Sequence, residues 1–323
     1  MLKRQVDAIN WNKIEDKIDE ATFEKLTEQF WLSTRIPVAN DVKDWNKLTD
    51  AERELYNHVF GGLTLLDTLQ SEDGISYLLE NTRTQHERAV LNNIQFMESV
   101  HAKSYSTIFT TLCSPKEINE IFEWTNNNQY LRKKADTIDE IYVNGSPLQK
   151  KAASVLLETF LFYSGFFTPL HYLGESKMMN VAEIIKLIIR DESVHGTYIG
   201  YKFQLGFNEL SPEEQQELKD WIVDLAFELL ENEFGYTKEV YSGTEWTPLV
   251  NIFLEYNLNK AMNNLGFEAV TETTAADVDP LVMNGISTST ANHDFFSQVG
   301  NGYLMGQVEP VTSDDFDIVD GLL

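Results

Sequence analysis

A single cysteine, Cys113, occurs in 323 residues. An internal disulfide is therefore impossible, and neither a zinc-knuckle spacing nor a dithiol redox pair is available. A reducing compartment, the cytoplasm, is the expected setting. Long apolar runs are also missing: no stretch of 18 uninterrupted apolar residues marks a membrane span. Met1 to Glu20 mixes Lys and Arg with Asp and Glu around no apolar core, so no signal peptide is expected. Positive charge is scarce, with 25 Lys and Arg against 51 Asp and Glu and a net charge of −26. It is absent after Lys260, where residues 261–323 carry ten acids. Such a surface opposes nucleic acid and anionic lipid and directs attention to a protein partner or a buried site. A uniformly solvated acidic surface is the plainer alternative.

What is present is core-forming material, 42% hydrophobic and 12% aromatic, in a helical pattern. Thr49-Asp50-Ala51-Glu52 reads as a capping box opening a helix to about Glu80, with Gly61-Gly62 interrupting its propensity. Helices are expected over 84–112, from Ser114-Pro115, over 148–172, 178–205, from Ser211-Pro212 to 234, and over 246–265. Gly165 and Pro169 predict a kink or π-bulge within the 148–172 segment. Alternating β-branched runs are few, and no fixed-period repeat is found. The expected architecture is one all-α domain over residues 1–285, irregular beyond Thr271, followed by a flexible tail over 286–323.

Two histidines end the same motif. Glu98-Ser99-Val100-His101 and Glu192-Ser193-Val194-His195 each place a carboxylate and an imidazole on one helical face. Both lie among apolar residues, where an uncompensated charge is expensive. Asp67 in Leu63–Leu69 and Glu158 in Val155–Phe162 pose the same problem. One acid from each of two helices and a Glu-x-x-His from each of two others make the ligand set of a dinuclear carboxylate site in a ferritin-like bundle. The mixture of carboxylate and imidazole suits iron or manganese better than structural zinc. The alternative is that these acids are paired with Arg83, Arg88 or Arg190. Tyr105 follows His101 by four positions on the same face, its Cα about 6 Å away. A phenol there is a candidate for one-electron oxidation, or else an ordinary core tyrosine.

Asp67, Glu98, His101, Tyr105, Glu158, Glu192 and His195, with Asp191 and Ile36-Pro37-Val38-Ala39-Asn40-Asp41, stand in an order and spacing that resembles the small subunit of class I ribonucleotide reductase, the class Ib branch above all. The resemblance covers essentially the whole chain. It implies a diiron or dimanganese centre that yields a tyrosyl radical on Tyr105. It further implies transfer of radical character to a separate catalytic (alpha) subunit that reduces ribonucleotides with its own cysteines. Asp191 is then expected to orient His101, Trp31 to act as a near-surface relay, and Phe162, Phe166 and Ile188 to shield the radical. A homodimer and, for dimanganese, a flavodoxin-like activating protein are implied as well.

The tail acquires a role in the same way. Tyr303 stands where the family places a relay tyrosine. Phe316, Ile318, Val319, Leu322 and Leu323 alternate with acids as a peptide that docks to a folded partner would. Two other function classes remain open at this point: a dimetal oxidase acting alone, and a metal-free helical scaffold.

Overall fold

The computed structural model describes residues 7–287, and these contain thirteen α-helices and no strand. In chain order they are α1 Lys17–Glu28, α2 Val42–Trp45, α3 Asp50–Leu69, α4 Ile75–Leu79, α5 Gln85–Leu112, α6 Pro115–Asn127, α7 Gln129–Asn144, α8 Pro147–Leu156, α9 Tyr163–Gly174, α10 Met179–Phe207, α11 Pro212–Val240, α12 Thr247–Asn264 and α13 Pro280–Ser287. Their starts are locally encoded. Thr49, Ser114, Ser146 and Ser211 each close a capping box with a Glu or Gln three residues on, and Pro115, Pro147 and Pro212 follow three of them. Each such cap is worth roughly 1 kcal/mol.

Four helical rods carry the centre: α3, α5, the run from α8 to α9, and α10. α3 packs on α5 and α9, α10 packs on α5, α8 and α9, and α12 closes over α9 and α11. The interior is one contiguous apolar cluster, from Leu26 near the start to Ile286 near the end of the described chain. The 28 residues Pro147–Gly174 are long and apolar enough to cross a membrane, but the most apolar stretch is entirely buried among other helices.

Several expectations need correction. The helix expected to about Glu80 runs through Gly61-Gly62 but ends, as α3, at Leu69; a Cβ on Gly61 would lie 2.2 Å from Thr125 Oγ1, and one on Gly62 2.9 Å from the Tyr236 hydroxyl. The pair lets α6 and α11 approach α3 closely. The irregularity in 148–172 is a π-turn over Leu157–Leu161, ahead of Gly165 and around Glu158, while Pro169 sits inside α9. A second π-turn, Gln70–Gly74, lies between α3 and α4. α1 and α7 were not expected, and α13 is helical where an irregular stretch was predicted, crossing the 285/286 division.

Candidate metal centre

Each π-turn inserts one extra residue per helical turn, which rotates the following side chains relative to a regular helix. Glu158 lies in one such turn, and Asp67 is three residues before the other. The Glu-x-x-His pairs project from regular stretches of α5 and α10. Asp67, Glu98, His101, Glu158, Glu192 and His195 are all 0% exposed.

They form two overlapping cages. Asp67, Glu98, His101 and Glu192 bring one ligand-type atom each within 4.8 Å of one another, and so do Glu98, Glu158, Glu192 and His195. Glu98 and Glu192 belong to both, as bridging carboxylates would. Ligands opposed across an ion at ~2.1 Å lie about 4.2 Å apart, so small side-chain shifts would close either cage.

The hydrogen-bond pattern fits metal. His101 Nε2 donates to Asp191 Oδ2 at 3.3 Å, which assigns the proton of the neutral ring to Nε2. Its Nδ1 lone pair then faces Glu192 Oε1 at 2.9 Å and Asp67 Oδ1 and Glu98 Oε2 at 3.5 Å. His195 Nδ1 likewise approaches Glu98 Oε1 at 2.7 Å, Glu192 Oε2 at 3.2 Å and Glu158 Oε2 at 3.6 Å. A neutral ring would set acceptor against acceptor there, so each Nδ1 needs either a proton of its own or a cation between it and the carboxylates. Both oxygens of Asp67 and of Glu98, Glu158 Oε2, Glu192 Oε1 and His101 Nδ1 are buried without a well-formed hydrogen bond among the described residues.

Titration behaviour reflects the same crowding. Burial raises Asp67 and Glu158 well above the usual carboxylate range, with neighbouring carboxylates adding to the effect. Burial would depress both imidazoles, but the surrounding carboxylates overcome it and raise His101 and His195 well above their ordinary value. Burial also opposes ionisation of Glu192, yet its hydrogen bond with Glu158 and the facing His101 hold it far below the usual range.

The arginine alternative fails. Arg83 pairs with Glu209, Arg88 donates to the Leu79 carbonyl, and Arg190 donates to Asp191 and the Gln29 carbonyl. None neutralises the four central acids.

Tyr105 is fully buried, and its hydroxyl stands by the Asp67 carboxylate without a well-formed hydrogen bond among the described residues. Burial, then the charges of Asp67, Glu192 and Glu98, push its phenol well above 10. Trp31 Nε1 donates to Asp191 Oδ2 at 2.7 Å, and its ring lies 6.0 Å from that of His101 at 22°. Phe162, Phe166 and Ile188 are completely buried, with the two phenyl rings 5.9 Å apart. Tyr303 and the tail lie outside the described residues.

Sequence reasoning missed a polar set behind Glu158. Gln70 donates from Nε2 to Ser154 Oγ at 2.8 Å and to Glu158 Oε1, and accepts at Oε1 from the Tyr142 hydroxyl at 2.6 Å. Its only sequence signal is a position three residues after Asp67 on the same rod. Phe60 was missed too; its ring stacks on Tyr105 at 5.9 Å and 28°.

A helical bundle enclosing two carboxylate–histidine cages defines the class: a dinuclear carboxylate protein. The chain matches the family described as "Ribonucleotide reductase, small chain" over residues 8–280, and it belongs to that family. It is 47% identical over 314 residues to the ribonucleoside-diphosphate reductase subunit beta nrdF2 of Mycobacterium tuberculosis, covering 97% of each chain. To the ribonucleoside-diphosphate reductase 2 subunit beta of Escherichia coli it is 46% identical, over 97% of this chain and 98% of that one. Among solved structures it resembles dimanganese(II)-NrdF of Streptococcus sanguinis, with a TM-score of 0.87 and 65% identity over 87% of this chain and all of that one.

Proposed function

We infer that this chain works as the beta subunit of a ribonucleoside-diphosphate reductase and serves deoxyribonucleotide production. One observation carries the reading of the site: four acids and two histidines, wholly buried, form two cages sharing Glu98 and Glu192, with the Tyr105 hydroxyl nearby. The cofactor is a dinuclear iron or manganese centre, and its ligands are Asp67, Glu98, His101, Glu158, Glu192 and His195. When bound and activated, the metal pair supplies the oxidising equivalent that generates the tyrosyl radical.

The chain's own residues then have defined tasks. Tyr105 gives up one electron and its phenolic proton. Asp67, whose charge acts most strongly on that phenol, is positioned to hold the proton. Phe60, Phe162, Phe166 and Ile188 keep water and reductants from the radical. Asp191 fixes the His101 ring from one side and the Trp31 indole from the other, linking the centre to the buried Trp31 ring. Tyr303 continues the relay toward the partner.

The assembly includes a catalytic alpha subunit and a second copy of this chain. The 286–323 segment docks the alpha subunit through Phe316, Ile318, Val319, Leu322 and Leu323. A flavodoxin-like protein delivers the oxidant when manganese is bound, and the compartment is the cytoplasm. Glu192→Ala tests the ligand set: metal analysis should show loss of bound metal, and full occupancy would sink the assignment. Removal of residues 312–323 should leave the radical intact and weaken alpha binding; unchanged affinity would refute the docking role.

A further inference from the structure

Where α8 and α11 begin and α10 ends, a cleft of about 600 Å³ opens among Arg83, Leu148, Lys151, Lys202, Leu218 and Trp221. Three cations line it in a chain of net charge −26. Two are already neutralised. Arg83 meets Glu209 through two hydrogen bonds of 2.8 and 2.9 Å. Lys202 meets Asp16 at 2.7 Å and Asp19 at 2.5 Å.

Lys151 differs. It is 7% exposed and lines the cleft, and no acid among the described residues pairs with its ammonium, Glu87 acting on it only through space. Burial lowers its pKa, and the Arg83 and Lys202 charges lower it further, opposed by Glu87. The Glu87 carboxylate is itself engaged by the Arg83 backbone N–H at 2.7 Å. Two of the three acids that line the cleft are engaged elsewhere. Glu209 holds Arg83, Glu214 caps α11 through Ser211, and Glu217 is exposed. The stem of Lys151 is packed away while its ammonium opens into the cleft with no acid paired to it, and an anion is its natural complement.

The first turn of α8 lines the same cleft. Its capping box uses the N–H groups of Ser146 and Gln149, and Pro147 has none, leaving the Leu148 N–H and the positive end of the helix dipole. Leu148, Leu218 and Trp221 give one side of the cleft an apolar and aromatic surface.

We propose that this cleft binds a small phosphate-bearing molecule, with its phosphate on the Lys151 ammonium and the first turn of α8, and its apolar or aromatic body against Leu218 and Trp221. The site is separate from the metal centre: Lys151 precedes Glu158 by seven residues, about 10 Å along the helical run. Its volume suits a molecule the size of a mononucleotide.

Calorimetric titration of the metal-loaded protein with inorganic phosphate and with adenosine monophosphate, at ionic strength held constant with sodium chloride, tests the site. Both probes should bind saturably, the nucleotide more tightly. Lys151→Met should weaken both at least about tenfold. Lys150→Met should not, because that lysine lies over the Tyr77 ring at 4.7 Å. Without ligand, Lys151→Met should melt no lower than the parent, since the ammonium has no acid paired to it and Met keeps the packed stem. The proposal is overturned if neither probe binds up to on the order of 10 mM, or if Lys151→Met binds as the parent does. Equal affinity for the two probes overturns the placement of the body against Trp221. A lower melting temperature for the ligand-free variant would make Lys151 a structural cation instead.

Discussion

The Trp31 indole and the Asp191 carboxylate are joined by a 2.7 Å hydrogen bond, and the oxygen that accepts it is also 3.3 Å from His101 Nε2. One carboxylate atom thus touches both the expected surface relay and an expected metal ligand. Arg190 holds the other oxygen at 3.2 Å and the Gln29 carbonyl at 2.6 Å, tying the segment before Trp31 to α10. Trp31→Phe keeps the ring and removes the indole N–H. Metal content and the tyrosyl radical should persist, while nucleotide reduction with the alpha subunit falls by roughly two orders of magnitude. A loss of that size requires only about 3 kcal/mol on the transfer barrier. Turnover at the parent rate would exclude Trp31 from the path.

Tyr105→Phe separates the radical from the metal. The hydroxyl makes no well-formed hydrogen bond among the described residues, so its removal should alter stability by less than about 1 kcal/mol. Metal occupancy should be unchanged, the radical signal in electron paramagnetic resonance absent, and reductase activity lost. A persistent tyrosyl signal would assign the radical to another of the buried tyrosines.

How much of this was legible beforehand follows from what local sequence encodes. Glu98 with His101, and Glu192 with His195, are read from helical spacing alone, since three residues set a common face. Asp67 and Glu158 stand out as charges in apolar runs. Gln70 does not, because a neutral amide in Gln70-Ser71-Glu72-Asp73 resembles any polar helix edge. The π-turn within 148–172 was expected from Gly165 and Pro169 and lies only a few residues before them; the one at Gln70–Gly74 was hidden, because hydrophobic periodicity is too coarse to register a single inserted residue. Tyr142 was overlooked rather than hidden: Leu131, Ala135, Ile138 and Tyr142 form an apolar stripe along α7, but the Lys, Arg and Asp between them drew the reading to its charge. The helix of α13 is eight residues bordered by Thr, Ser and Asn, which outweighed its Leu281, Val282 and Met283.

Gln70 should control one half of the metal centre. Its Nε2 donates to Glu158, and Gly74 leaves room for the arrangement: a Cβ there would lie 2.1 Å from Gln70 Oε1 and 2.8 Å from the Tyr142 ring. Gln70→Leu removes the donor to Glu158 and strands the Tyr142 hydroxyl. The expected loss is roughly 1–3 kcal/mol of stability, with metal affinity reduced roughly 10- to 100-fold in the cage containing Glu158 and His195. Metal titration should then show two unequal sites, the Asp67–His101 cage filling first. Equal filling would remove Gln70 from a positioning role.

Away from the metal, His58 makes stability depend on pH with a defined sign. Its ring lies parallel to the Trp124 indole at 3.7 Å and 11°, and burial lowers its pKa to about 4. In the unfolded chain the imidazole titrates at the ordinary value of 6.5. Between those values the unfolded state binds the extra proton. The contribution is therefore fully present above pH 6.5 and is lost as pH falls toward 4. His58→Phe preserves a stacked ring and cannot take up the proton. Compared metal-free by urea unfolding, so that the carboxylate–histidine cages titrate alike in both proteins, parent and variant should be nearly equal at about pH 7. At about pH 4.5 the variant should be the more stable by roughly 1–2 kcal/mol, allowing for the partial exposure of the ring. Identical stability differences at the two pH values would mean that His58 is solvated and titrates normally, and the stack on Trp124 would then have no electrostatic consequence.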